Sequence, residues 1–261
     1  MRLRKLWDEG KPTLGGWCAI PSGFSAEVLG RCGFDWVCID TQHGIIGYEH
    51  LIPMLQGLSV TQTPAFVRVS WNSPGEIMKA LDAGAQGVII PMVNSPEEAL
   101  QAVGACKYPP EGYRSWGPTR AALGSPEFSP QSANRDVICT IMVETAEALD
   151  KLDQVLATPG IDAVFVGPND LAVSSGLEPS FRAENPQHHQ KIERILEGCQ
   201  RHDITAGIFC GSAEMALHWR ELGFRMLALQ SDANLMRLAA QQLLNDIRQE
   251  STVVESKAAY A

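Results

Sequence analysis

PAFVRVSWNSPGEIMKALDAGAQGVIIPMVNSPEEALQAVGAC, residues 64–106, contains the same pattern twice. A short apolar run (PAFVRV, 64–69; GVIIPM, 87–92) leads into Ser-Pro, an acid one or two residues later, and then an amphipathic stretch. Runs that are apolar without alternation are what strands covered on both faces require. Serine is a helix cap, proline suits the first helical position, and an early acid complements the helix dipole.

The pattern extends in both directions. Towards the N-terminus, LGGWCAI (14–20) precedes GFSAEVLGRCG, and FDWVCID (34–40) precedes YEHLIPMLQGL. Towards the C-terminus, VICTIMVE (137–144) precedes TAEALDKLDQVLA, and DAVFVGP (162–168) leads to QKIERILEGCQRH. TAGIFCG (205–211) then precedes SAEMALHWRELG, and RMLALQ (225–230) precedes ANLMRLAAQQLLNDIRQ. Eight strand-then-helix units without a linker predict an α/β fold, a (β/α)8 TIM barrel occupying residues 1–248 as one domain. Residues 249–261 read as a flexible tail. An open doubly wound sheet is the rival, but it calls for a glycine-rich turn after its first strand, whereas LGGWCAI carries its glycines at the start. One connection breaks the rhythm: residues 108–136 are rich in Pro, Gly and Ser and too long for a plain link.

The chain of 261 residues matches the roughly 250 that one such barrel needs. Its formal charge of −9 repels phosphate backbones, which excludes a nucleic-acid partner. No run approaches the roughly 18 apolar residues of a spanning helix, and the N-terminus has no apolar signal-peptide core, so no membrane role is expected. The seven cysteines are scattered without a CxxC pair, which argues for free thiols in a reducing, cytoplasmic setting.

Catalytic side chains of a barrel come from the carboxyl ends of its strands. Strand 2 delivers Asp40, Gln42 and His43, strand 3 delivers Arg68, strand 5 delivers Glu144, and strand 6 delivers Gly167, Pro168, Asn169 and Asp170. Glu144 and Asp170 end adjacent strands; two such acids repel unless a cation lies between them. Oxygen donors without a Cys or His partner suit Mg²⁺ or Mn²⁺, with Co²⁺ also tolerated. Asp170 alternatively serves only its helix start. Asp40 is placed to hold one ring nitrogen of His43 and leave the other to move a proton; a plain surface-loop histidine is the other reading. Arg68 suits a carboxylate or enolate oxygen, with an internal salt bridge to Asp40 or Glu144 as the alternative. Gly167, Pro168 and Asn169 can aim backbone N–H groups at an anion. Trp17 and Trp71 either wall the pocket or pack. The remaining histidines, His50, His188, His189, His202 and His218, read as solvated. No lysine closes a strand, so Schiff-base chemistry is not expected and a metal must stabilise an enolate.

FDWVCIDTQHG, VRVSW, DAGAQGVIIPMV, KYPPEGYRSWG, IMVET and VFVGPNDLA, in this order and spacing, resemble the class II hydroxy-keto-acid aldolases of the HpcH/HpaI aldolase/citrate lyase family, over roughly residues 14 to 245. The resemblance implies a metal-dependent aldehyde-lyase that reversibly cleaves 4-hydroxy-2-oxo acids to pyruvate, or a related 2-oxo acid, and an aldehyde. Glu144 and Asp170 would be the metal ligands, Arg68 would bind pyruvate, and His43 with Asp40 would manage the aldol proton. Gly167, Pro168, Asn169, Trp17 and Gln42 would line the substrate site. It also implies a homohexamer, a trimer of dimers that exchange the last helix, with Asp82, Arg114 and Arg120 reaching a neighbouring subunit's pocket or forming interface salt bridges. Oxaloacetate decarboxylation on the same residues is the nearest alternative, and a non-catalytic binding barrel a more distant one. Gln42 stands where many relatives carry Glu, and Met142 where many carry Gln, which leaves the substrate open.

Overall fold

A computed structural model describes residues 2–125, 127–180 and 183–258, with side chains through residue 248. Eight parallel strands close into a barrel in sequence order: β1 (Thr13–Cys18), β2 (Trp36–Asp40), β3 (Ala65–Arg68), β4 (Gly87–Ile90), β5 (Ile138–Met142), β6 (Ala163–Val166), β7 (Thr205–Phe209) and β8 (Met226–Ser231). β8 pairs with β1, so no edge is left open. The helices are α1 (Arg2–Asp8), α2 (Gly23–Gly30), α3 (Tyr48–Ser59), α4 (Pro74–Asp82), α5 (Pro96–Cys106), α6 (Pro130–Asp136), α7 (Ala146–Asp150), α8 (Leu152–Leu156), α9 (Pro168–Ser174), α10 (Pro186–Arg201), α11 (Ala213–Leu222) and α12 (Asp232–Ala258).

The predicted caps are present at several helix starts. Ser95 accepts a hydrogen bond from the Glu98 amide, Thr145 from Ala148 and Ser212 from Met215. Ser73 stands at the same position of α4 but makes no such bond. Among its described residues, the long 108–136 connection contains only a short 3₁₀ turn, Ala121–Gly124, and α6.

Alternate residues of each strand face opposite ways, and this sorts the apolar side chains into two cores. Trp17, Trp36, Cys38, Phe66, Ile89, Met142, Phe165, Met226 and Ala228 fill the barrel's interior. Val37, Ile39, Val67, Val88, Ile90, Val164 and Ile208 pack outward against the helices. Interior volume is tight enough to dictate a glycine: a Cβ on Gly15 would lie 2.2 Å from the Trp36 ring. The N-terminal segment, unassigned from its sequence, is helix α1, whose Leu3 and Trp7 join the interior core and close the barrel's amino-terminal end. Trp7 donates its indole N–H to Thr13 Oγ1 at 3.0 Å.

The readings of His188 and His189 need correction. His188 lies on α10 and is 1% exposed, not solvated. His189 stacks on Trp219 with ring centroids 5.0 Å apart. Helix α12 is continuous through Ala258, and the last three residues of the 249–261 tail lie outside the described ones.

Candidate active site

β2 and β3 pair with Asp40 directly opposite Arg68. Neighbours in register point to the same face, so both side chains enter the carboxyl-terminal mouth of the barrel together. Arg68 grips Asp40 with two bonds, Nε to Oδ1 at 2.9 Å and Nη2 to Oδ2 at 2.6 Å. The pair is nearly dry, with 11% and 4% of the two side chains exposed. Burial works against the Asp40 carboxylate, but the Arg68 hydrogen bonds and charge, helped by the Trp17 N–H, outweigh it and hold its pKa below the usual range. Arg68 is raised by the same partnership against the same burial. The guanidinium keeps Nη1 without a hydrogen-bond partner among the described residues, and it is free for a ligand.

The expected contact between Asp40 and the His43 ring is absent among the described residues. Asp40 Oδ1 instead accepts the backbone amides of Gln42 at 3.1 Å and His43 at 3.2 Å. The carboxylate is occupied by Arg68, and the His43 side chain is exposed in the β2–α3 loop. Gln42 places its side-chain oxygen in a buried position with no partner. Trp17, expected in the pocket wall, is 3% exposed and donates its indole N–H to Asp40 Oδ2 at 3.1 Å. Trp71 is exposed.

Across the mouth, Glu144 follows β5 and is 2% exposed. Its Oε1 accepts the backbone N–H of Met92 at 2.8 Å, while Oε2 accepts no hydrogen bond among the described residues. Met92 donates from a left-handed backbone conformation, φ +57°, costly for a bulky side chain. Gly167 is the other wall: a Cβ there would meet Glu144 Oε2 at 2.4 Å and Met142 Cε at 3.2 Å, so only glycine leaves room for the carboxylate. Pro168, Asn169 and Asp170 form the first turn of α9 behind Gly167, with Pro168 buried and Asp170 exposed. Burial and then the Asp170 charge push Glu144 up to about 7, against the downward pull of the Met92 amide and Arg68.

These two acids fit a hard divalent cation. Glu144 is a buried carboxylate with one oxygen free, held beside a second acid, and a cation would relieve both burial and repulsion. No group of three or more metal-ligating side chains occurs among the described residues, so the protein would supply two ligands and leave the other positions to substrate and water. A pH signature follows. Because the folded chain favours the protonated form, the cation-free protein loses about 3 kcal/mol as pH rises from the ordinary 4.5 to about 7. Mn²⁺ binding, which displaces that proton, should therefore tighten with pH up to about 7 and then level off. Isothermal titration at pH 5.5, 6.5, 7.5 and 8.5 checks this; affinity independent of pH would remove Glu144 from the cation's ligands.

Asp82, Arg114 and Arg120 lie at the opposite, amino-terminal end. Within this chain Arg114 Nη2 donates to Asp82 at 2.6 Å, and Arg120 Nη1 donates to the Ala83 carbonyl at 2.8 Å. One feature of the mouth escapes a sequence reading: the Met92 amide, which no residue type advertises. Asp232, 7% exposed, accepts from the Ala19 amide and the Ser25 hydroxyl, both at 2.8 Å, and so ties the β1–α2 loop to the start of α12.

Residues 15–239 match the family model HpcH/HpaI aldolase/citrate lyase. A hydroxypyruvate/pyruvate aldolase of Rhizorhabdus wittichii is 38% identical over 95% of this chain and 98% of its own length. A 4-hydroxy-2-oxo-heptane-1,7-dioate aldolase of Escherichia coli is 34% identical over 94% of each. The crystal structure of an HpcH/HpaI aldolase/citrate lyase family protein from Burkholderia cenocepacia superimposes with a TM-score of 0.88 at 30% identity, covering 95% of this chain and 99% of the other. With a closed eight-stranded barrel and matches across nearly its whole length, the chain belongs to the HpcH/HpaI aldolase/citrate lyase family.

Proposed function

We propose that this protein is a divalent-metal-dependent class II aldolase that cleaves 4-hydroxy-2-oxo acids to pyruvate or a closely related 2-oxo acid and an aldehyde, and runs the reverse addition. The observation that carries this reading is the buried Glu144, one oxygen free, facing the same mouth as an Arg68 with donors to spare. Glu144 and Asp170 would hold the cation, which supplies Lewis-acid stabilisation of negative charge developing on the 2-oxo acid.

The chain's own groups divide the remaining work. Arg68, locked in plane by Asp40, offers Nη1 to an oxygen of the 2-oxo acid and stabilises the enolate as it forms. Backbone N–H groups at the start of α9, behind Gly167 and Pro168, orient the carboxylate, with Asn169 beside it. The exposed ring of His43 accepts the proton of the C4 hydroxyl. The C3–C4 bond then breaks, its electron pair enters the enolate, an aldehyde leaves, and protonation at C3 releases pyruvate. Gln42, neutral and with a buried unpartnered oxygen, faces the incoming aldehyde or a hydroxyl on the 2-oxo acid. Because the Rhizorhabdus relative is named for both hydroxypyruvate and pyruvate, both belong in the test.

The barrel is proposed to span residues 1–248 and to work as a homohexamer, a trimer of dimers that exchange α12. Leu235, Met236, Leu238, Leu243 and Leu244 lie exposed along that helix, which also contacts the barrel strands β1 and β8. In such an assembly Asp82, Arg114 and Arg120 approach a neighbour's mouth. All seven cysteines are free, which suits a reducing compartment such as the cytoplasm, and no helix among the described residues is long and apolar enough to cross a membrane.

The test is a panel of aldehydes offered with pyruvate or hydroxypyruvate in Mg²⁺, Mn²⁺ or Co²⁺, followed by product analysis. Carbon–carbon bond formation that EDTA abolishes and added metal restores is the expected result. Full activity in EDTA, or release of CO₂ from oxaloacetate with no aldol reaction on any pair, would overturn the proposal.

A further inference from the structure

Asp40 accepts five hydrogen bonds, and four of them come from its own loop or from the facing strand: the Gln42 and His43 amides and two from Arg68. The fifth comes from across the β1–β2 ladder, from the indole of Trp17, at 3.1 Å on the same oxygen that Arg68 Nη2 reaches. The Arg68 guanidinium carbon also lies 5.0 Å from the centroid of the Trp17 ring. One side chain therefore touches both members of the buried ion pair, the carboxylate with its only polar atom and the cation with its face.

The ring has little freedom to move. It stacks on Phe165 of β6 at 5.7 Å and 29°, and meets Phe209 of β7 edge-on at 5.6 Å and Trp36 of β2 at 6.5 Å. Aromatic neighbours from three other strands thus fix the plane of an indole that is almost wholly buried and leaves substrate little surface to touch. Phenylalanine could fill most of this volume. What it cannot supply is an N–H for a carboxylate already committed to an arginine.

The geometry assigns Trp17 as a positioning residue that sets the orientation of Arg68, through its N–H on Asp40 and its ring beneath the guanidinium. This rests on the aldolase reading above, in which Arg68 Nη1 meets the 2-oxo acid. A guanidinium held by Asp40 alone can rock about the carboxylate axis; with the indole on one oxygen and the ring closing one side, its free donors keep one direction.

Steady-state kinetics of the Mg²⁺-loaded enzyme in the aldol-addition direction test this. Trp17→Phe should lower kcat/KM for pyruvate about tenfold, the scale of one hydrogen bond to a charged group, mainly through KM. In an Arg68→Lys background, where no planar fork remains to be oriented, the same change should cost less than about twofold. Parent-like kinetics in Trp17→Phe, or an equal tenfold loss in the lysine background, would reduce Trp17 to core packing and overturn the assignment. If the phenylalanine variant does not fold, the ¹⁵N-indole spectrum of the otherwise intact chain decides. The Trp17 N–H, assigned by single substitution of the other tryptophans, should shift in Arg68→Lys and stay put in His43→Ala; no shift in either overturns it. An inactive parent enzyme would instead indict the aldolase reading.

Discussion

Glu144→Gln should lower aldol turnover by about a thousandfold, the equivalent of about 4 kcal/mol of transition-state stabilisation, while making the cation-free protein more stable above pH 7. The two effects share a cause. Glu144 is 2% exposed, receives one hydrogen bond from Met92 and feels the charge of Asp170, which together leave its pKa near 7. Ionising it without a cation is costly, and an amide of the same shape escapes that cost while keeping a carbonyl oxygen for the Met92 N–H. The same amide cannot balance a divalent charge. Denaturant titration at pH 8 in EDTA, paired with turnover in saturating Mn²⁺, separates the two. A variant that keeps near-parent turnover, or loses stability at pH 8, would show that this carboxylate is not the cation's seat.

Arg68→Met should cost about 3–5 kcal/mol of folding stability and at least a hundredfold in turnover. The stability loss arises from what remains: Asp40, 4% exposed as a side chain, keeps its charge with only two backbone amides and one indole to satisfy it. In the parent the lowered pKa of Asp40 is a stabilising contribution, present above about 3.8 and lost as pH falls through its folded value. Removing Arg68 reverses that linkage. Adding Asp40→Asn should therefore return much of the lost stability and none of the lost turnover, because the neutral pair still lacks a guanidinium for the 2-oxo acid. Urea midpoints of the two single variants and the double variant form the cycle. A double variant no more stable than Arg68→Met alone would mean that the buried charge is not what the single substitution exposes.

The barrel was legible because its signals are local. Strands sandwiched between an interior core and a helical shell have no solvated face, so GVII and AVFV read as unbroken apolar runs and AFVR as one closed by Arg68 at the mouth, and serine caps with early acids mark where helices begin. The position of the mouth follows from the order strand then helix, which alone placed Asp40, Arg68, Glu144 and Asp170 at one end. The α1 plug was not legible, since Leu3 and Trp7 are two apolar residues in a charged segment and only the open barrel floor explains them. His188 misled for a related reason: its neighbours on the chain are polar, while those that bury it come from elsewhere in the fold.

Taken alone, the order of residues determined an eight-unit barrel and the end at which its acids, arginine and histidine gather, because periodicity and strand direction are properties of the chain itself. Which of those groups bind one another was decided by tertiary structure. Asp40 faces Arg68 through β2–β3 register and takes the His43 amide rather than its ring. Trp17 reaches the same carboxylate from β1, and Met92 turns a left-handed amide onto Glu144. Such partnerships depend on register and backbone direction between distant segments, and a difference of one residue in either would hand each donor to a different acceptor.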